Sequence, residues 1–344
     1  MSYRLKIKEP LAEGIRRIVL EQIEIAESEL RGNTDAAAGV HNARRALKRL
    51  RALLRLVRPG LDAASYRRQA LRFAETGRLL AGARDRHVMR QTLAKLSTSS
   101  TLPESLVSSL EALLAPATAA ADDTADPREA AASNLSAARK AVAGNALAGL
   151  ERAHIFEGAE IVYRKARKLH RHCVTGDAVD EDFHALRKCV QQHWRHMQLL
   201  SRAWPEALTA RAEEAKALSQ LLGEDHDLHI LRSFAQAHSE ALSSEDLAAL
   251  RQATVDAQSA LRTRALLHAD RLFSERPRDL SARLRSYWSA AQGLTALKAS
   301  DDAADDAPSP KPRALKPRVH RQPAAKRAKP AAVRTPRSAP RRAP

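Results

Sequence analysis

Aromatic side chains are scarce in this sequence of 344 residues, which has three Trp, four Tyr and five Phe. Ala, Leu and Arg dominate instead, and these residues favour helices. Proteins that bind single-stranded nucleic acid without sequence preference usually supply aromatic stacking platforms, and the few aromatic residues lie mostly outside the most basic segment. The composition therefore predicts an all-α fold and provides no platform of this kind.

Cysteine and long apolar runs are also rare or absent. The two cysteines, Cys173 and Cys189, are too few for a disulfide framework and are an ordinary number for a reducing compartment. The sequence has no run of about 18 apolar residues. Its charged first segment, MSYRLKIKEP, lacks the apolar core of a signal peptide. We therefore expect a soluble, cytoplasmic protein without a membrane partner.

Motifs for catalysis are missing as well. The sequence has no Gly-rich phosphate loop, no H-E-x-x-H zinc motif and no G-x-S-x-G nucleophile turn. Asp225, His226, Asp227 and His229 have the side-chain types and spacing of metal ligands, but acids that cap the start of a helix would look the same. We therefore predict no enzymatic activity, no cofactor and no metal.

Acidic residues are absent between Asp35 and Asp62. Within this gap the stretch VHNARRALKRLRALLRLVRP, residues 40–59, carries seven Lys or Arg side chains. One histidine and five of these cations are spaced by alternate steps of three and four residues, and so form a stripe along one side of a helix: His41, Arg44, Lys48, Arg51, Arg55 and Arg58.

The stripe is predicted to flank the buried face of its helix. A parallel apolar stripe lies roughly 120° away around the helix axis. It consists of Leu47, Leu50, Leu54 and Val57. The cations of the stripe should therefore face the groove beside a neighbouring helix, whereas Arg45 and Arg49 should point further out to solvent.

Two interpretations of the stripe remain open. Like charges at helical spacing repel one another, and a structural helix usually relieves this repulsion with intervening glutamates. A linear polyanion would convert the repulsion into attraction, because Lys and Arg donate charge-assisted hydrogen bonds to phosphate oxygens. The alternative is a solvated basic face, or pairing with acids of another helix such as Glu21, Glu24 or Glu27.

The C-terminal residues concentrate the remaining charge. Residues 307–344 hold 12 of the 58 Lys and Arg and no acid, which leaves 46 cations against 40 acids in residues 1–306. Nine prolines occur from Pro308 onward, and the segment has almost nothing to bury. We therefore predict that residues 299–344 are a disordered Pro/Ala/Lys/Arg-rich tail. Its composition is typical of tails that bind DNA; a solubilising extension is the alternative.

Helix-breaking residues place the first helices. A helix is predicted from Leu11 to Leu30, and the basic helix that follows should end at Arg58, before Pro59-Gly60. A third helix should begin near Ala63 and a fourth near Gly82. Residues 97–134 contain three prolines and should form only short helices.

An internal duplication is predicted from two pairs of similar segments. FHALRKCVQQHWRHMQLLSRAWP (183–205) aligns with the basic stretch and pairs His184 with His41. LLGEDHDLHIL (221–231) aligns with LLAGARDRHVM (79–89), at an offset of 142 residues against 143 for the first pair. Nearly equal offsets in the same order favour duplication over coincidence.

The duplication predicts the domain organisation. We expect residues 1–298 to form one domain with repeat one at about 5–140 and repeat two at about 150–295. Each repeat should be a bundle of roughly four helices, and the pair should pack with pseudo-twofold symmetry around one cleft.

Taken in order, these motifs resemble the CHAD family, the conserved-histidine α-helical domains, over roughly residues 3–295. The resemblance rests on SYRLKIKEPLAEGIRRI, VHNARRALKRLRALLRLVRPGL, GARD, FEGAEIVYRKARK, FHALRKCVQQHW and LLGEDHDL. It implies a duplicated helical bundle that binds inorganic polyphosphate through a basic central surface, in some members on polyphosphate granules. Other members are fused to a triphosphate-tunnel domain, whose alternating Glu-x-Glu-x-Lys pattern is absent here.

Position by position, the resemblance assigns polyphosphate binding to basic residues of both halves. In the first half these are His41, Arg44, Arg45, Lys48, Arg49, Arg51 and Arg55, with Arg58 next on the stripe. In the second half they are His184, Arg187 and Lys188, followed by Arg195. Glutamines at 191, 192 and 198 replace cations there, so the second half should contribute less.

The acids and histidines of the motifs have other expected roles. Asp85 and Asp227 should orient arginines of the stripe instead of touching a polyanion. His41 and His184 can donate to an anion, whose charge would favour their protonated form. The alternative is that a backbone group or carboxylate holds each ring.

The sequence thus predicts a non-catalytic protein that binds inorganic polyphosphate in a basic groove or central cleft, in the cytoplasm and on polyphosphate granules. The alternative is a nucleic-acid-binding or nucleoid-associated protein that uses the basic helix and the tail. Duplex DNA, in particular, is bound through its phosphates without stacking.

Overall fold

Eleven α-helices and three short 3-10 turns make up the regular structure of the described residues, and no strand occurs among them. A computed structural model describes residues 3–32, 36–115, 126–143, 147 and 149–305; side chains at 36–37, 82–85, 143 and 298–305 lie outside the description. The all-α prediction is confirmed. The predicted tail lies almost entirely outside the described residues.

The helices follow one another with short connections. In chain order they are α1 (Leu11–Gly32), α2 (Ala36–Val57), α3 (Ala63–Leu79), α4 (Gly82–Ser99), α5 (Glu104–Leu114), α6 (Pro127–Ala143), α7 (Arg152–Val174), α8 (Asp180–Leu200), α9 (Pro205–Ala237), α10 (Ser244–Leu272) and α11 (Pro277–Asp305). None of the described helices combines the length and apolarity that crossing a bilayer requires.

Local chemistry explains where the first helices end. A 3-10 turn over Arg58–Gly60 follows α2, because Pro59 cannot donate a helical backbone hydrogen bond. Asp62 then caps α3 by accepting a hydrogen bond from the backbone N of Ser65 at 2.8 Å. The predicted ends of the first helices therefore agree with the structure to within about two residues.

One apolar core connects the two halves of the chain within the compact unit Met1–Ser300. Helix α2 packs against α1, α7 and α8. Ile18 of α1, Leu56 of α2 and Tyr163 of α7 are fully buried in this core. The predicted apolar stripe of α2 faces inward, since Leu47, Leu50 and Val57 are buried. Burial of this stripe fixes the direction in which the cations beside it point.

The aligned motifs lie on comparable helices of the two halves. The basic stretch lies on α2 and its counterpart on α8, whereas the second pair of motifs lies on α4 and α9. The duplication and its pseudo-twofold axis stay predictions. The interpretation of Asp225 to His229 as a helix start is wrong, because these residues lie in the interior of the 33-residue helix α9.

Gly158 of α7 marks a close approach to α2. A Cβ atom at Gly158 would lie 1.9 Å from the carbonyl oxygen of Leu56, so an alanine there would force the two helices apart. We expect Gly158→Ala to lower the free energy of unfolding by about 3 kcal/mol in a urea titration followed by circular dichroism. Gly77→Ala is the control, because a Cβ there meets nothing within 4 Å, and its higher helix propensity should leave stability unchanged or raised. Similar losses for both variants would contradict this account of the contact.

Candidate functional site

Helices α2, α4, α8 and α9 enclose a groove with a volume of about 370 Å³. Its lining contains six cationic side chains. They are Arg44, Lys48 and Arg51 of α2, and Arg187, Lys188 and Arg195 of α8. Asp227 of α9 is the only carboxylate among the described residues that line it. The groove therefore has a strong excess of positive charge.

The contact between α2 and α8 holds the two basic walls in place. His196 of α8 is fully buried and donates a hydrogen bond through Nε2 to the carbonyl oxygen of Ala52, at 2.9 Å. Burial lowers the pKa of His196 to about 4, so this donor is a neutral imidazole at pH 7. Ala52 is small and buried, which allows α8 to approach α2 closely. The cations at either side of this contact then face the same groove.

Arg195 is an unusual member of the groove because it is buried. Only 7% of the residue is exposed, and its Nε has no hydrogen-bond partner within the described residues. Its guanidinium lies over the Trp194 ring, 4.5 Å from the centroid. Burial lowers the pKa of Arg195 to about 10, so the group is still charged at neutral pH. An anion in the groove would compensate this charge.

Other cations of the groove also lack a paired carboxylate. Arg51, Arg187 and Lys188 form no ion pair within the described part of the chain. The Nε of Arg187 is buried without a hydrogen-bond partner. Burial lowers the pKa of Arg187, and the charges of Asp227 and Asp225 offset this only partly. The charge of Asp227 therefore raises the pKa of Arg187 on α8, whereas the sequence predicted that Asp227 would orient arginines of the stripe on α2.

Two histidines stack at one side of the groove. The rings of His184 and His226 have centroids 4.0 Å apart and an interplanar angle of 26°. Burial and the charges of Lys188 and Arg187 lower the pKa of His184 to about 4. Burial and the neighbouring His184 lower the pKa of His226 to about 3. Both rings are therefore neutral at pH 7 in the absence of an anion.

The groove brings together eight of the residues that the sequence pointed to. They are Arg44, Lys48, Arg51, His184, Arg187, Lys188, Arg195 and Asp227. Five others do not line it: His41, Arg45, Arg49, Arg55 and Arg58. The side chain of Asp85 lies outside the described residues. Polyphosphate binding by these residues stays a prediction.

The predicted position of Arg49 is wrong. Arg49 is half-buried, and Tyr3 of the N-terminal segment and Gln22 of α1 both contact it. Its guanidinium lies 5.4 Å from the centroid of the Tyr3 ring, and its Nη1 donates to Oε1 of Gln22 at 3.1 Å. The Tyr3 hydroxyl in turn donates to the carbonyl oxygen of Arg49 at 2.9 Å. Arg45, in contrast, is exposed as expected.

The three glutamates that the alternative interpretation named do not pair with the stripe within the described residues. Glu21 pairs with Arg17 at 3.2 Å. Glu27 pairs with Arg139 of α6 at 2.8 Å. Glu24 is exposed and forms no ion pair within the described residues. Pairing with these three glutamates is therefore not the reason for the basic stripe.

The residues of α9 that the sequence suggested as metal ligands contact different partners instead of one another. Asp225 accepts a hydrogen bond from Nε of Arg262 at 2.6 Å, and His229 contacts Oδ2 of Asp180 at 2.6 Å. Within the described residues, no group of three or more His, Cys, Asp or Glu could hold a metal ion. His226, which the sequence suggested only as a metal ligand, instead lines the basic groove.

Gln191 and Gln192 also line the groove, and the sequence offered a signal for one of them. An offset of 143 residues pairs Gln191 with Lys48, so the alignment could have placed Gln191 at this surface.

A family model described as CHAD domain matches residues 16–236, which is more than half of the chain and includes every groove-lining residue named above. No curated protein matches the chain.

Proposed function

The chain belongs to the CHAD domain family, and on this premise we propose that it binds inorganic polyphosphate in the groove between α2 and α8 without catalysing a reaction on it. The observation that carries the proposal is the set of unpaired cations on the two walls: Arg51 on α2, and Arg187, Lys188 and Arg195 on α8. Cations that lack a protein carboxylate are suited to an anionic ligand, which would supply the missing charge.

The shape of the groove favours a flexible phosphate chain over other polyanions. A groove between packed helices is open to a single chain, whereas a nucleic-acid duplex is too wide to enter it. Cations on opposite walls can bind successive phosphates of one chain, so that several weak contacts act on a single ligand. Lys48 and Arg51 of one wall and Lys188 of the other are exposed, and so are accessible to such a chain.

The proposed cellular setting follows from this ligand. We propose that the protein acts in the cytoplasm and associates with polyphosphate granules through the groove. DNA binding by residues 307–344 stays a prediction from composition, since this segment lies outside the described residues. Duplex DNA therefore enters only as a competitor in the test of the proposal.

A titration of the full chain tests the proposal. We expect long-chain polyphosphate to bind much more tightly per phosphate than orthophosphate, because several cations bind one chain at once. Affinity should fall steeply with salt, as it does when counterions are released from nucleic acids. Isothermal titration calorimetry at several salt concentrations measures both effects.

Two results would contradict polyphosphate binding in the groove. One is equal affinity per phosphate for polyphosphate and orthophosphate, since no chain would then span the two walls. The other is complete displacement of polyphosphate by duplex DNA at equal phosphate concentration, which would favour the nucleic-acid-binding alternative. Release of orthophosphate from polyphosphate by the pure protein would show that the protein is an enzyme.

A further inference from the structure

Helices α1, α2, α3 and α6 surround a cavity that the proposed function does not use. Its volume is about 450 Å³, against about 370 Å³ for the groove, and lies within the range of small-ligand sites. Three of its walls carry apolar side chains, among them Ile15 and Val19 of α1, Leu50 and Leu53 of α2, and Val142 of α6. No described residue lines both the cavity and the groove, so the cavity is a separate site.

The cavity lies between two parts of the apolar interior. Ile15, Leu53 and Val57 belong to the core that connects the two halves of the chain, whereas Leu50 and Phe73 belong to a second cluster of buried residues. All five line the cavity. Protein interiors are close-packed, because unfilled space forfeits dispersion contacts, and water is a poor occupant of apolar walls because it needs polar partners. The space is therefore suited to an apolar ligand.

The wall that α3 contributes is different, because four of its five lining residues are polar. They share one side of the helix: Ser65, Arg68, Gln69 and Arg72. A helix normally presents apolar residues to an apolar interior. The usual pattern is therefore broken at this cavity.

The two arginines of this wall have neutral partners. Nη1 of Arg72 donates to Oε1 of Gln69 at 3.0 Å, and Nη2 of Arg68 donates to Oγ of Ser65 at 2.8 Å. Within the described part of the chain, neither arginine forms an ion pair with a carboxylate. Arg72 is half-buried and Arg68 is exposed. The α3 wall thus places positive charge beside an apolar space.

These two properties together define the chemistry of the ligand. An apolar chain would fill the space between α1, α2 and α6, and an anionic head group would accept hydrogen bonds from the arginines of α3. A carboxylate suits this position, because a guanidinium group can bind both of its oxygens at once. An inorganic anion lacks the apolar part, and a neutral hydrocarbon would leave the arginines without a counter-charge.

We propose that this cavity binds a free fatty acid, with Arg72 as the main carboxylate-binding residue and Arg68 as the second. The hydrocarbon chain lies against the apolar walls. This inference does not rest on the proposed function of the groove, since the two sites share no described lining residue.

The first test titrates the full-length protein, freed of co-purified lipid, with saturated fatty acids of about six to fourteen carbons below their micelle concentrations. Isothermal titration calorimetry should show affinity rising about fourfold per added methylene, because each one leaves water. The rise should stop at the chain length that fills the cavity. Primary alcohols of equal length should bind at least about tenfold more weakly, because they cannot pair with the arginines.

A variant of the main carboxylate-binding residue tests the position of the head group. Arg72→Gln should weaken fatty-acid binding about tenfold and leave alcohol binding unchanged, a difference that general loss of structure would not produce. The matched control is Arg78→Gln, which removes an exposed cation of the same helix that does not line the cavity. This control should change neither affinity by more than about twofold.

A cavity-filling variant tests the position of the chain. Val57→Phe places a larger apolar side chain at a buried position that lines the cavity. The melting temperature of the ligand-free protein should stay the same or rise, and the affinity should stop rising at a shorter chain length. Val190→Phe is the control at a buried position of α8 that lines neither site, and overpacking should lower its melting temperature.

Four results would overturn the fatty-acid site. They are no binding at any chain length, equal affinities for acids and alcohols, equal losses in Arg72→Gln and Arg78→Gln, and an equal fall in melting temperature in the two phenylalanine variants. Affinity that rises with chain length without a limit would show adsorption to the protein surface and would also exclude the cavity. Polyphosphate titrations are separate from these measurements, so failure of the fatty-acid site leaves the proposed function of the groove intact.

Discussion

Reversing the charge of Lys48 and Arg51 to glutamate is expected to weaken polyphosphate binding by about a hundredfold, or about 2.7 kcal/mol. Both side chains are exposed and line the groove, so their replacement removes two ligand contacts without opening the core. Each new carboxylate would also repel the phosphate chain. Far-UV circular dichroism should show unchanged helicity, because the apolar face of α2 is untouched.

The control for this experiment has the same change in net charge. Arg251→Glu with Arg264→Glu reverses two exposed cations of α10 that do not line the groove. At fixed ionic strength this pair should change affinity by less than about threefold. Comparable losses in the two double variants would mean that the protein attracts polyphosphate through its overall charge, and the groove would not be the site.

A pair of single variants compares the two walls. Lys48 on α2 and Lys188 on α8 are both exposed and both line the groove. Because glutamines replace cations in the second half, we expect α8 to contribute less than α2 to polyphosphate binding. This stays a prediction, and each of the two helices supplies three cations to the groove. A larger loss for Lys188→Glu than for Lys48→Glu would contradict it.

Polyphosphate is expected to bind more tightly as the pH falls from 7 towards 5. Without ligand, His184 and His226 have pKa values of about 4 and about 3, so both rings are neutral over this range. Bound phosphates would favour the charged imidazolium and raise these pKa values, so binding takes up protons. By linkage, affinity rises as the pH falls through the pKa of the complex and levels off below the pKa of the unliganded groove. Each proton taken up is worth about tenfold in affinity per pH unit.

Several charged or titratable groups surround the rings of His184 and His226 and influence how readily these rings take up a proton. Lys188 and Arg187 of α8 and His229 of α9 oppose protonation of His184, whereas Glu181 favours it. On the α9 side, His226 contacts His229 at a centroid distance of 6.2 Å, and His229 is held by Asp180. Asp227 also lines the groove.

Calorimetry in buffers of different ionisation enthalpy counts the protons that are taken up on binding. The double variant His184→Gln with His226→Gln should bind at pH 7 nearly as the wild-type protein does, and its affinity should change little down to pH 5. His268→Gln is the control, because His268 lies on α10 and contacts Glu214 at 2.9 Å, away from the groove. It should keep the pH dependence of the wild-type protein. A dependence that persists unchanged in the double variant would exclude the stacked histidines as its source.

The helical class and the ends of the first helices could be predicted from the sequence because local rules govern them. Helix-forming composition and the scarcity of aromatic residues sufficed to predict the all-α class. Breakers such as Gly32 and Pro59 determined helix ends, since glycine and proline act through their own backbone chemistry. The stripe from Arg44 to Arg51 followed from helical periodicity, which depends only on spacing along the chain.

The position of each cation relative to other helices could not be predicted in this way. Arg49 is half-buried because the N-terminal segment brings Tyr3 onto α2, a contact between residues 46 positions apart. His226 looked like a metal ligand in isolation, and only the packing of α9 against α8 places it against His184.

The sequence by itself determined that the chain is helical, that α2 carries a row of cations with no acidic residue between Asp35 and Asp62, and that its motifs resemble those of the CHAD family. Tertiary structure alone decided which cations face one another. Periodicity specifies the face of a helix on which a side chain lies, whereas the partner of that face depends on how apolar surfaces pack between distant segments. Burial of Leu56 against α7 and the hydrogen bond from His196 to Ala52 thus turn two separate basic helices into the walls of one groove.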